Sequence, residues 1–240
     1  TGYPMVRQAR EIVTAGAIGA VRKVFVEYHQ GWLSTKAESA GVVQAEWRTD
    51  PARAGLGGAL GDIGTHAENL ACFVTGLEIE SLNADLTSFV DGRALDDDAA
   101  VLLRFRGGAR GVLTASQICA GEGNGLTLRV YGETGGIRWR QESPEQIQIL
   151  SLDGATRTVH RGGPETSAGA QARSRIPVGH PEGCIEAFAN IYRGVAARVR
   201  GDEASGFGEL LPTASDGRTG VVFVEKCVES AHKDGAWVDW

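Results

Sequence analysis

Residues 57–66 read Gly-Gly-Ala-Leu-Gly-Asp-Ile-Gly-Thr-His, which sets a carboxylate, Asp62, four residues before an imidazole, His66. A helix starting near Leu60 carries these two side chains one turn apart on the same face. An aspartate that orients a histidine is a common way to build a general acid/base near neutral pH. The glycines in front allow a sharp turn and a close approach of backbone to ligand. The same spacing also fits a capped helix with a solvated histidine, so the surrounding chain has to decide between the two.

The elements that would position this pair follow from periodicity. Residues 4–16 carry Met5, Ala9, Ile12 and Val13 near a 3.6 period, with Pro4 suited to a first turn and Gly16 to a C-cap, which predicts a helix. Residues 21–29 alternate, with Val24, Val26 and Tyr28 on one face, as in a half-buried strand. Residues 31–58 read as a long irregular loop, a feature that is usually functional. A helix at 60–75 follows, with Ile63, Leu70, Phe73 and Val74 on its apolar side and Gly76 ending it. Strand signals then recur at 79–90, 98–106, 110–119, 125–132, 136–141, 145–151 and 156–160, separated by glycine turns. Gly121-Glu122-Gly123-Asn124-Gly125 lies between two of them and reads as a hairpin loop, not a phosphate cradle. Residues 161–180 form a polar loop, and helices are expected at about 182–200 and 212–233. In the first of these, Ile185, Phe188, Ala189, Tyr192 and Val195 form the expected core stripe. The tail 235–240 can add a short edge strand. The class is α+β: one large, mostly antiparallel sheet with helices covering one face.

Composition narrows the function. The chain has 240 residues, is 42% hydrophobic and carries a formal net charge of -6, which argues against a nucleic-acid partner. The densest charge cluster is Asp96-Asp97-Asp98. Cys72, Cys119, Cys184 and Cys227 form no Cys-x-x-Cys pair and no zinc spacing, and read as reduced buried thiols. No metal site is expected. With no signal peptide and no apolar run near membrane-spanning length, the expectation is a soluble, cytoplasmic protein with no membrane partner. There is no Gly-x-Gly-x-x-Gly between a strand and a helix. The chain opens Thr1-Gly2-Tyr3-Pro4, as though entered in mid-protein.

Five stretches, in order, resemble the C-terminal domain of the Gfo/Idh/MocA oxidoreductases, the glucose-fructose oxidoreductase and inositol dehydrogenase family. They are Val21 to Tyr28 after Gly16-Ala17-Ile18-Gly19; Trp47-Arg48 with Gly57-Gly58 and Asp62-Ile63-Gly64-Thr65-His66; Asp97 to Phe105 with Gly108 and Gly111; His180-Pro181-Glu182-Gly183 with Glu186-Ala187-Phe188 and Tyr192; and Asp216-Gly217 with Val221 to Ser230. The resemblance implies a substrate-binding and oligomerisation domain over 21–240. It makes 1–20 the remnant helix and link of a missing Rossmann domain, which in full-length members holds NAD or NADP. No cofactor is expected on this chain alone, and alone it is expected to be inactive.

The implied reaction is hydride transfer between a nicotinamide and a hydroxyl or keto group of a sugar or polyol. His66 would take the hydroxyl proton; Asp62 would orient the imidazole or bind the adjacent hydroxyl, its charge raising the histidine pKa. Sugar recognition needs polar groups beside an aromatic wall, for which Trp47 and Arg48 are suited, unless they only anchor the loop. Gln30 can reach the pocket from a strand end or stay a solvated edge residue; His180 can contact substrate or cap its helix. The competing class is a non-catalytic ligand-binding or scaffold protein that kept the fold without the cofactor domain. Self-association, as a dimer or tetramer, is expected through the sheet face left uncovered.

Overall fold

The computed structural model describes residues 1–202, 206–208 and 210–240. Among these residues a single nine-stranded sheet carries all the strands: β1 (Val21–His29), β2 (Ile79–Thr87), β3 (Asp98–Phe105), β4 (Arg110–Ser116), β5 (Gly125–Gly132), β6 (Gly135–Arg140), β7 (Gln146–Ser151), β8 (Thr156–His160) and β9 (Val238–Asp239). Their spatial order is β8-β7-β6-β5-β1-β4-β3-β2-β9. All pairings are antiparallel except β1 with β4, where Val24 lies opposite Gly111 and Tyr28 opposite Ala115. The α+β class read from the sequence is therefore the class observed.

Inserting β1 in the middle corrects one expectation. Residues 121–125 do not close a hairpin, because β4 and β5 are not neighbours; β1 lies between them. The glycine-rich segment instead crosses the end of β1, where Gly31 N–H donates to the Glu122 carbonyl and Cys119 N–H to the Gln30 carbonyl. A strand drawn from far upstream is invisible to hairpin spacing, which reads only neighbours in sequence.

Alternation decides which face is covered. Val24, Val26, Val101, Leu103, Phe105, Leu113, Leu128, Val130, Ile137 and Ile147 are each at most 2% exposed and share one core. Their neighbours Phe25, Leu102, Thr114 and Arg129 point to the open face. Helix α1 (Pro4–Thr14) enters through Pro4 and buries Met5, Val6, Ala9 and Ile12 in that core. The loop 31–58 is more ordered than expected. It holds a 3₁₀ turn (Ala37–Ala40), α2 (Val43–Arg48) and α3 (Pro51–Ala54), the last capped by Asp50, whose side chain accepts from Ala52 N–H at 3.0 Å. Then come a π-helical turn (Leu60–Gly64) and α4 (Thr65–Thr75), whose Leu70 and Val74 are buried as expected. A four-residue helix α5 (Ala168–Gln171) interrupts the later loop. Two long helices follow, α6 (Cys184–Arg200) and α7 (Ala214–Ala231), before the closing strand β9. No helix among the described residues is long and apolar enough to cross a membrane.

The expected core stripe of α6 is the opposite of what is found. Ile185 is 81% exposed, Phe188 56%, Tyr192 69% and Val195 47%, while Ala187, Asn190, Gly194 and Ala197 are buried. Close approach, not apolar area, chooses the face. A Cβ on Gly194 would lie 2.6 Å from the Phe207 carbonyl oxygen, and Asn190 Nδ2 donates to the carbonyls of Gly2 and Arg173, both at 3.0 Å. The N-terminal stretch meets the same face at Gly2, where a Cβ would stand 2.1 Å from the Ala187 carbonyl oxygen.

Candidate functional site

Asp62 sits in the π-helical turn, where Thr65 N–H bonds the Leu60 carbonyl, and His66 lies one residue into α4. Single π turns inside helices recur at functional sites, because they widen the spiral and re-aim side chains. Both residues line a cavity of about 700 Å³ between the end of α2, the π turn and the start of α7. Trp47 and Arg48 line it too, so four of the six residues singled out in the sequence come together.

Arg48 and Gln117 hold Asp62. Arg48 Nε and Gln117 Nε2 each donate to Asp62 Oδ2 at 2.8 Å, and Arg48 Nη1 donates to Gln44 Oε1 at 2.6 Å. The guanidinium stacks on Trp47, 4.1 Å from the ring centroid, and stands 5.8 Å from that of Trp32. Both described bonds of Asp62 end on Oδ2, and neither runs to His66. Of the two roles expected for Asp62, orienting the imidazole or binding a neighbouring hydroxyl, the first has no hydrogen bond to His66 among the described residues, and Asp62 acts on the ring through its charge.

The His66 ring is exposed to the cavity and faces Tyr28, with ring centroids 6.2 Å apart. Protein crowding its other side removes water and pushes its pKa below the ordinary histidine value; the Asp62 charge pulls the other way and loses. The direction is opposite to the rise expected from Asp62 alone, because desolvation is the larger effect.

Gln30 and His180 do not line this cavity. Gln30 Nε2 donates to Asn124 Oδ1 at 2.9 Å, and the same oxygen accepts from Tyr28 Oη at 2.7 Å, which places Gln30 one link behind the ring that faces His66. His180 lies exposed before α6, and its carbonyl accepts from buried Arg161.

Sequence reading missed two residues of the site: Gln117, which holds Asp62 from behind the cavity wall, and Glu68, which lines the cavity. Gln117 lies inside the strand signal read at 110–119, one residue past the end of β4, and carried no chemical signal of its own. Glu68, 2% exposed on α4, lines the same cavity. Burial pushes its carboxyl up to about 7, the facing charge of Asp216 adds to the rise, and a hydrogen bond with the Cys72 thiol opposes it. An acidic residue two positions after His66 falls on the inner side of the helix, which was the available clue.

Residues 6–138 match the model of the GFO/IDH/MocA C-terminal domain. The chain belongs to that family. It is 46% identical to an oxidoreductase of Sinorhizobium meliloti, covering 100% of this chain and 62% of that one at a TM-score of 0.88. An inositol dehydrogenase homolog from Azotobacter vinelandii, solved with NADH and myo-inositol, is 34% identical at a TM-score of 0.89, with 100% of this chain and 62% of that chain covered. Oxidoreductase YfiI of Bacillus subtilis is 32% identical over 246 residues, 100% of this chain and 63% of its own length. This GFO/IDH/MocA domain therefore spans less than two thirds of the relatives it matches.

Proposed function

We propose that this chain is the substrate side of an NAD(P)-dependent oxidoreductase that moves hydride between a nicotinamide and a hydroxyl or keto carbon of a sugar or polyol. The observation that carries the reading is the gathering of Asp62, His66, Arg48 and Trp47 around one cavity. A relative of the same fold was solved with NADH and myo-inositol, which supports the substrate class. In this reading residues 1–20 are the end and link of a preceding dinucleotide-binding domain, and 21–240 bind substrate. The exposed Ile185, Phe188 and Tyr192 of α6 offer that domain an apolar surface.

In this reading the dinucleotide is held by the preceding domain, and the glycine-rich stretch at 121–125 joins two strands and opens no helix. The nicotinamide, when bound, supplies the hydride acceptor. What this chain supplies is grip and proton handling. The lowered pKa keeps the His66 imidazole neutral at pH 7, ready to accept the proton of a carbinol hydroxyl. Asp62, fixed through Oδ2, turns its other oxygen to a neighbouring hydroxyl. Trp47, backed by Arg48, gives the apolar face on which a sugar ring packs. The test is a panel of polyols with NAD⁺ and NADP⁺ on the full-length protein. NADH or NADPH formation with at least one is expected; binding of polyols with no turnover by either cofactor would favour the scaffold reading.

The open sheet face supports self-association. Leu102, 46% exposed, and Phe25 lie among charged groups such as the Arg129–Glu27 pair, 2.9 Å apart. Sedimentation at low micromolar concentration is expected to show a dimer or tetramer. A single monomeric species would remove the sheet-face contact.

A further inference from the structure

The acidic run at 96–98 is the densest charge cluster of the sequence, and the site as described makes no use of it. Asp96 lies in the loop just before β3 and meets the start of the Asp62 turn with three acceptors. Its Oδ1 accepts from Gly58 N–H and its Oδ2 from Leu60 N–H, both at 2.7 Å, and its carbonyl accepts from Ala59 N–H at 2.9 Å. Three consecutive amides that a helix start leaves without partners are thus satisfied by one residue. The fit is tight: a Cβ on Gly58 would stand 2.0 Å from the Asp96 carbonyl oxygen, so that glycine is required by contact. Gly58 in turn accepts from Asp62 N–H at 2.9 Å.

Asp97 extends the clamp from the other side. Its Oδ1 accepts from Phe89 N–H at 2.8 Å and its Oδ2 from Val90 N–H at 3.0 Å and Arg93 Nη1 at 3.2 Å. Its carbonyl accepts from Gln117 N–H at 2.9 Å, and the Gln117 side chain is one of the two donors to Asp62. The loop before β3 therefore reaches Asp62 by two routes, through the backbone of its own turn and through Gln117.

We propose that Asp96 is the positioning residue of this site: it sets the π turn and so holds Asp62 at its distance from His66, without touching substrate. The proposal rests on the reading of Asp62 and His66 as the acid/base pair, but its test does not need turnover.

In the full-length protein, hydrogen–deuterium exchange should find the amides of Gly58, Ala59 and Leu60 protected. Asp96→Asn keeps the side-chain size but turns one acceptor into a donor facing a backbone N–H. Protection at these three amides should be lost, and the His66 imidazole, followed by NMR titration, should titrate lower, because Asp62 no longer sits where its charge supports the protonated ring. Turnover should fall by about 10- to 100-fold, the scale of a misplaced catalytic group. Gly58→Ala attacks the same contact while leaving the carboxylate intact, and should give the same pair of changes. A role in folding alone would lower Tm and leave the His66 titration unmoved, which overturns the proposal. Rapid exchange of the three amides in the wild type would overturn it without any variant. If instead His66→Asn keeps full turnover, the acid/base reading fails while the exchange and titration results still decide the role of Asp96.

Discussion

His66→Asn, in the full-length protein, is expected to lower kcat by about 10²- to 10⁴-fold, the usual contribution of a placed acid/base. The ring is exposed at the cavity, so its loss should leave the fold intact. The wild-type pH profile carries the same information. Desolvation holds the His66 pKa below the ordinary value, so alcohol oxidation should be level through neutral pH as far as this group is concerned. It should fall only on the acid side of the ordinary histidine range. Asp62→Asn removes the charge that raises that pKa, so the acid limb should move further down. Its kcat loss should be smaller than that of His66→Asn. Near-normal turnover in both variants would make the pair a structural cap.

The second large effect is on stability. Glu68 is buried, and its folded pKa stands at about 7 against an ordinary 4.5. A carboxyl raised on folding binds more protons in the native state between these two values, so stability falls as pH rises across that window. Over it the loss amounts to about 3 kcal/mol, at 1.36 kcal/mol for each pH unit of displacement. Glu68→Gln removes the titration. Chemical denaturation of both proteins should show the variant gaining about 3 kcal/mol on the wild type between pH 4.5 and pH 8. A difference that stays constant with pH would mean that Glu68 does not carry this charge.

Much of the fold was legible because alternation and burial coincide. Val24, Val26 and Tyr28 were placed on one face of β1 by pattern alone, and all three are buried. The Asp62–His66 spacing likewise marked the cavity. The π turn, however, is set by Asp96, a residue 34 positions downstream of Asp62 whose role depends on three backbone amides; no local pattern reports that. Gln117 was hidden for the same reason. The α6 stripe misled because hydrophobic periodicity locates an apolar face without saying what covers it, and here Gly194 and Asn190 were chosen for contact distance. The position of β1 between β4 and β5 is a long-range pairing that turn spacing cannot carry.

The central claim is that His66 and Asp62 face the reacting carbon of a polyol. The most direct measurement is a crystal structure of the full-length protein with NADH and myo-inositol, or the best-turned-over polyol of the panel. A carbinol oxygen is expected within about 2.6–3.2 Å of a His66 ring nitrogen, with a second hydroxyl on Asp62 and the ring of the ligand against Trp47. A polyol bound productively against the nicotinamide with neither His66 nor Asp62 within reach of any of its oxygens would contradict it.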